Sequence, residues 1–145
     1  MRSHPADAAP VPYGPVAYRR QLRTFGALAA LAPPAALGVF ALLALHRGSS
    51  TAGVLGFASA LFAAPGLLVA GAPLATGGTV YALATLASAA VWMVLGAIAA
   101  RRATRRPAAD WRDFWREYLW LAAGVWIGVI GAVLAADVLL GQAFL

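Results

Sequence analysis

Residues Arg101–Glu117 read RRATRRPAADWRDFWRE, and beyond residue 24 no other polar stretch of comparable size occurs in this 145-residue chain. It carries arginines at 101, 102, 105, 106, 112 and 116 and acids at 110, 113 and 117. The runs that flank it are apolar for about 20 residues each, the length an α-helix needs to cross a hydrocarbon layer of about 30 Å at about 1.5 Å per residue. The stretch therefore reads as the polar linker between two membrane-length helices.

Outward from it lie four such runs, Phe25–Leu45, Val54–Ala72, Thr79–Ala100 and a last one from Tyr118 to about residue 138. Composition agrees, with 62% hydrophobic and 11% charged residues, against about 45–50% and about 25% in soluble domains. A soluble helix needs a polar face, and apart from Asp137 at the end of the last run these runs have no charge with which to build one. They also lack the alternation of a barrel strand, so backbone pairing within each segment requires helices. The expected fold is an all-α integral membrane protein: a four-helix transmembrane bundle with a short interfacial amphipathic helix, about 108–117, before the last span.

The connections HRGSSTAG and PLATGG are short and rich in Gly, Ser and Pro, as turns between antiparallel neighbours should be. Pro33-Pro34 and Pro65 fall inside apolar runs and should kink them, because each proline removes a backbone donor and crowds the preceding turn. Residues 1–24 read as a tail: 1–17 are proline-rich and expected to be extended or disordered, and Arg19, Arg20 and Arg23 form a basic membrane anchor.

Four crossings of a multi-pass protein of the cell membrane would put Arg2, Arg19, Arg20 and Arg23 on one side. Arg47 and the arginines of 101–117 would lie on the other. The excess of basic residues favours the second side as cytoplasmic, with both termini outside, whereas the arginines directly before the first span pull the opposite way.

Within the linker, Arg101, Arg102, Arg105 and Arg106 repeat at helical spacing and should form a basic patch against anionic lipid head groups. Pro107 should end that helix, and Asp110 or Thr104 can cap the next. Trp111, Phe114, Trp115 and Tyr118 then follow at i, i+3, i+4 and i+7, an aromatic face for interfacial anchoring or partner docking. Arg112, Asp113, Arg116 and Glu117 occupy the opposite face.

Little of this sequence carries chemistry. With no Cys, Lys or Asn, thiolate metal sites, disulfides and lysine Schiff bases are excluded. The net charge of +6 flanks apolar runs, which points to lipid head groups rather than nucleic acid. The ionisable residues near span ends are His46 and Asp137, the latter a candidate for coupling or for a structural ion pair with arginine. Span hydroxyls at Ser59, Thr79, Tyr81, Thr85 and Ser88 have no adjacent base. No cofactor is expected, and an enzyme is not. Gly124, Gly128, Ala132 and Ala136 make a small-residue stripe, expected to pack against another helix of the same chain. The expectation is a non-catalytic accessory or scaffold subunit of a membrane complex, or a homo-oligomer. The alternative is a small transporter or channel built by oligomerisation.

Overall fold

The computed structural model describes residues 15–71, 77–105 and 109–140, and for positions 15, 16, 136, 137, 139 and 140 only the backbone. The described residues are helical, with no strand among them. In order they form α1 (Pro15–Ala29), α2 (Ala32–Leu45), α3 (Ser50–Ala63), α4 (Gly66–Val69), α5 (Gly78–Ala103) and α6 (Trp111–Leu140). Three helical stretches are long and apolar enough to cross a membrane: Ala17–Leu45, which joins α1 and α2, Gly78–Ala103, and Trp111–Ala135.

The first proline pair, expected to kink its run, coincides with a break in the helix. Pro33 and Pro34 sit in the opening turn of α2, and the helical path is interrupted at Ala30-Leu31. Their missing N–H groups would have bonded the carbonyls of Ala29 and Ala30, so the ladder breaks one turn upstream. Backbone pairing nevertheless continues on both sides of the break: Ala30 N–H donates to Gly26 O at 3.1 Å and Ala35 N–H to Leu31 O at 2.9 Å. Residues 15–24, assigned to the tail from sequence, belong to α1 instead; residues 1–14 of that tail lie outside the described residues.

The second run departs from expectation. Val54–Ala72 is not one spanning helix: α3 ends at Ala63, Ala64 adopts φ −135°, ψ 80°, and α4 starts after Pro65. Fourteen residues in α3 reach only about 21 Å, short of the hydrocarbon thickness of about 30 Å. Ser49 caps the start of α3, its Oγ accepting from Ala52 N–H at 3.2 Å. From there α3 runs back along α2. Gly56 is the contact point: a Cβ there would lie 2.9 Å from Leu45 Cγ and 3.0 Å from Ala41 O.

The core lies where α1, α5 and α6 meet, built from Leu22, Ala30, Trp92, Leu95, Ala99, Ala100, Phe114 and Tyr118 with smaller neighbours. α1 and α5 cross at two glycines. A Cβ on Gly26 would sit 2.8 Å from Ala100 Cβ, and one on Gly96 would meet Ala30 Cβ and lie 2.8 Å from Gly26 O. Without side chains there, dispersion contacts form backbone to backbone, the way apolar helices associate when no hydrophobic contrast drives them.

α6 is continuous from Trp111 to Leu140, so the amphipathic segment placed at about 108–117 is the first two turns of the last long helix rather than a separate interfacial helix. Asp110 provides the cap, with Oδ1 accepting from Asp113 N–H at 2.9 Å. No Gly or Pro occurs from Trp111 to Ala123, so the helix simply propagates once nucleated.

Candidate functional site

Prolines 33, 34 and 65 leave backbone groups unpaired inside apolar surroundings, where each unsatisfied group costs several kcal/mol. Each break meets a polar side chain from a distant helix. Tyr118 donates its hydroxyl to Ala30 O at 2.9 Å, which is the carbonyl that Pro34 leaves without its i+4 donor. Trp92 donates its indole N–H to Ala63 O at 2.7 Å, at the end of α3. Ser88 accepts from Gly66 N–H at 2.9 Å, at the start of α4, while its own hydroxyl donates to Ala84 O at 2.8 Å.

These bonds also locate the α3–α4 break. Ala63 lies beside Trp92 and Gly66 beside Ala84 and Ser88, near the middle of α5. Phe62 of α3 rests against Trp126 of α6, ring centroids 4.5 Å apart. The chain thus descends along α2 to the midpoint of α5, turns at Ala64-Pro65, and passes through α4 back toward the start of α5. Close approach there depends on Gly66, whose Cβ would lie 2.7 Å from both Ala84 O and Ser88 Oγ. Above the turn, α4, α5 and α6 enclose a cleft of about 580 Å³, lined by Val69, Leu83, Val91, Val125 and Val129 among others.

The aromatic face predicted over Trp111–Tyr118 exists, and its burial corrects the reading. Phe114 is 0% exposed and Tyr118 2%, so both are core residues rather than anchors or docking groups. Phe114 stacks on Tyr118 at 6.1 Å between centroids and meets the edges of Trp111 and Trp115 at 5.5 and 5.0 Å. Trp111 and Trp115 are half-buried and remain accessible at one edge. The reason is that α1 lies against this face: Phe114 Cε2 would be 3.2 Å from a Cβ on Gly26.

At the same end, Thr104 is 1% exposed and gathers the arginines that precede the first span. Arg19 Nη2 donates to Thr104 O at 3.1 Å, Arg23 Nε to Thr104 Oγ1 at 3.4 Å, and Thr104 Oγ1 donates to Ala100 O at 2.8 Å. The last carbonyls of α5 thereby gain cationic partners, a favourable placement at the negative end of a helix dipole. Thr104, a possible N-cap by sequence, is instead the C-cap of α5.

Arg101, Arg102 and Arg105 of the predicted basic patch are exposed at this end; Arg106 lies outside the described residues. Arg116 lies 3.6 Å from Asp113 and 3.9 Å from Glu117, exposed pairs of small energetic weight. The side chain of Asp137 also falls outside the described residues. Ser59 and Thr85 donate to the carbonyls of Leu55 and Tyr81 on their own helices, both at 2.8 Å. Sequence reasoning passed over Ser88, Trp92 and Tyr118 as partners of the breaks. The available signal was the coincidence of three interior prolines with few polar-tipped side chains in the runs facing them.

Comparison of the chain with protein-family models, with curated proteins and with solved structures returns no match.

Proposed function

We propose that this chain is a non-catalytic integral membrane protein that acts by assembly, as a subunit of a membrane complex or of a homo-oligomer, with α6 as the associating helix. One observation carries the reading: in the most apolar window of α6 only 6% of residues are buried inside the protein, against 22% and 33% for the other two candidate spans. Of the small-residue stripe expected to pack internally, Gly124 and Gly128 meet no partner among the described residues. Beside Gly124, Gly128 and Gly131 no described atom lies within 4 Å of where a Cβ would be, and Ile127 is 72% exposed beside them. Backbone exposed on a small-residue face allows close approach of another helix, the geometry by which helices associate in lipid.

The path of the chain supports three crossings with a re-entrant α3–α4 segment, in place of four crossings. Arg19 and Arg23 contact Thr104, so the start of α1, the end of α5 and the start of α6 share one face. Arg19, Arg20, Arg23, Arg101, Arg102, Arg105, Arg112 and Arg116 all belong to that face, and Arg47, after α2, to the other. The two arginine groups that opposed each other under four crossings then act together. Orientation with the start of α1 inside and the end of α6 outside follows, replacing the arrangement with both termini outside.

The chain contains no cysteine, so disulfide trapping reads association directly. Gly128→Cys in native membranes should cross-link, either to itself or to a co-purifying subunit, while Leu42→Cys on the outer face of α2 should not. A monomer in mild detergent, with no foreign subunit and no cross-link at either position, would overturn the reading.

A further inference from the structure

At the arginine-bearing end, α1 and α5 enclose a recess of about 420 Å³ between Arg23, Ala97, Ala100 and Arg101. Two arginines 78 positions apart in sequence line it together with two alanines. We propose that this recess binds the phosphate of an anionic phospholipid, gripped between Arg23 and Arg101, with the lipid's glycerol end over the alanines. The proposal rests on the membrane placement argued above but not on assembly through α6.

Charge balance is the first argument. Among the described residues no carboxylate pairs with Arg19, Arg20, Arg23, Arg101, Arg102 or Arg105, whereas Asp113 and Glu117 lie beside Arg116. The C-terminus of α5 offers roughly half a negative charge, and Arg19 and Arg23 are already bonded to its Thr104. That leaves the positive charge largely uncompensated where the surroundings change from water to lipid, and an anion is the group that compensates it.

Geometry is the second. Arg23 uses Nε on Thr104 Oγ1 at 3.4 Å, which fixes the plane of its guanidinium and leaves the two Nη groups as donors. Thr104 is itself fixed, 1% exposed and bonded to Ala100 O. Arg101 rises from the last turn of α5; its backbone carbonyl accepts from Thr104 Oγ1 at 3.3 Å, while its guanidinium has no hydrogen-bond partner among the described residues. Guanidinium groups bind phosphate through paired N–H donors, so a pre-oriented fork and a free one across a recess suit a tetrahedral oxyanion. Ala97 and Ala100 present methyl groups, which fit the less polar part of a lipid beside its phosphate.

The test uses the full-length protein, first shown to resist carbonate extraction from membranes, which is where failure of the membrane placement would appear. Purified in neutral detergent, it is titrated with phosphatidylglycerol and followed by native mass spectrometry and thermal melting. One lipid should be retained with a raised Tm. The pair R23Q/R101Q should weaken retention by about tenfold per lost guanidinium contact, whereas R20Q/R112Q, an equal loss of charge on the same face, should leave it within about twofold. Where R23Q/R101Q fails to fold, R101Q alone serves, because the one hydrogen bond at Arg101 uses its backbone carbonyl, which the substitution keeps. Inorganic phosphate distinguishes the source. Displacement of the lipid at millimolar phosphate assigns the recess to the free anion, and retention despite it assigns the site to the lipid. Equal loss of lipid in R20Q/R112Q, or no retained lipid in a carbonate-resistant protein, overturns the proposal.

Discussion

The hydroxyl of Tyr118 donates at 2.9 Å to the carbonyl oxygen of Ala30, the acceptor that Pro34 deprives of its helical partner. A bond between positions 88 apart in sequence thus repairs a break made by a residue four positions away. Because the donor is 2% exposed and stacked on Phe114, no solvent molecule reaches the carbonyl to replace it.

Tyr118→Phe should therefore destabilise the folded protein by about 1 kcal/mol, in the range of side-chain hydrogen bonds between helices in membranes. Pro34→Ala restores an N–H that can reach Ala30 O. In that background Tyr118→Phe should cost less, and the coupling can be read from a double-mutant cycle in detergent or bicelle unfolding. Equal cost in both backgrounds would show that the hydroxyl does not serve the proline break.

The α3–α4 turn depends on two such bonds, from Trp92 to Ala63 O and from Gly66 N–H to Ser88 Oγ. Ser88→Ala leaves a partly buried N–H without its acceptor and should cost about 1–3 kcal/mol. Its local signature is faster amide exchange at residues 63–70 with α5 protected as before. Uniform exchange across all helices would mean that the turn is not a separate unit.

Glycines in this protein divide into two kinds. Gly96→Ala puts a methyl against Ala30 Cβ and 3.0 Å from Ala27 Cα, and should lower the stability of the α1–α5 crossing by about 1–3 kcal/mol through overpacking. Gly128→Ala meets nothing within 4 Å and should leave monomer stability unchanged or slightly raised, since Ala is the better helix former. Thermal melting of the two variants side by side checks the contrast.

Sidedness follows from Arg19 lying on Thr104. Single cysteines at Tyr18 and Arg105 should be labelled by a membrane-impermeant maleimide from the same face, and one at Ser50 from the opposite face. Labelling of Tyr18→Cys and Arg105→Cys from opposite faces would restore the even distribution of four full crossings.

Much of the local structure was legible in the sequence because its causes are local. Apolar runs without charges become helices since nothing else satisfies their backbone. Asp110 caps α6 as its side-chain chemistry allows, and the spacing of Trp111, Phe114, Trp115 and Tyr118 puts them on one face. What that face meets was not legible. The same four aromatics would suit a membrane interface or a helix–helix core, and the choice falls to α1, which brings Gly26 against Phe114. Arg23 as a wall of the recess was hidden for a similar reason: its companion Arg101 belongs to another helix.

By itself, the sequence determined an all-helical chain with membrane-length apolar helices, prolines at 33, 34 and 65 that disturb those helices, and arginines concentrated at helix ends. Only the tertiary structure decided that the run from Val54 turns at Ala64-Pro65 midway along α5 and that the arginines at the start of α1 and the end of α5 converge. Hydropathy sums are identical for a run that crosses and for one that turns back at a proline. The difference lies in whether the groups freed by the break find partners, and those partners, Trp92 and Ser88, are supplied by a helix that the run reaches only after folding.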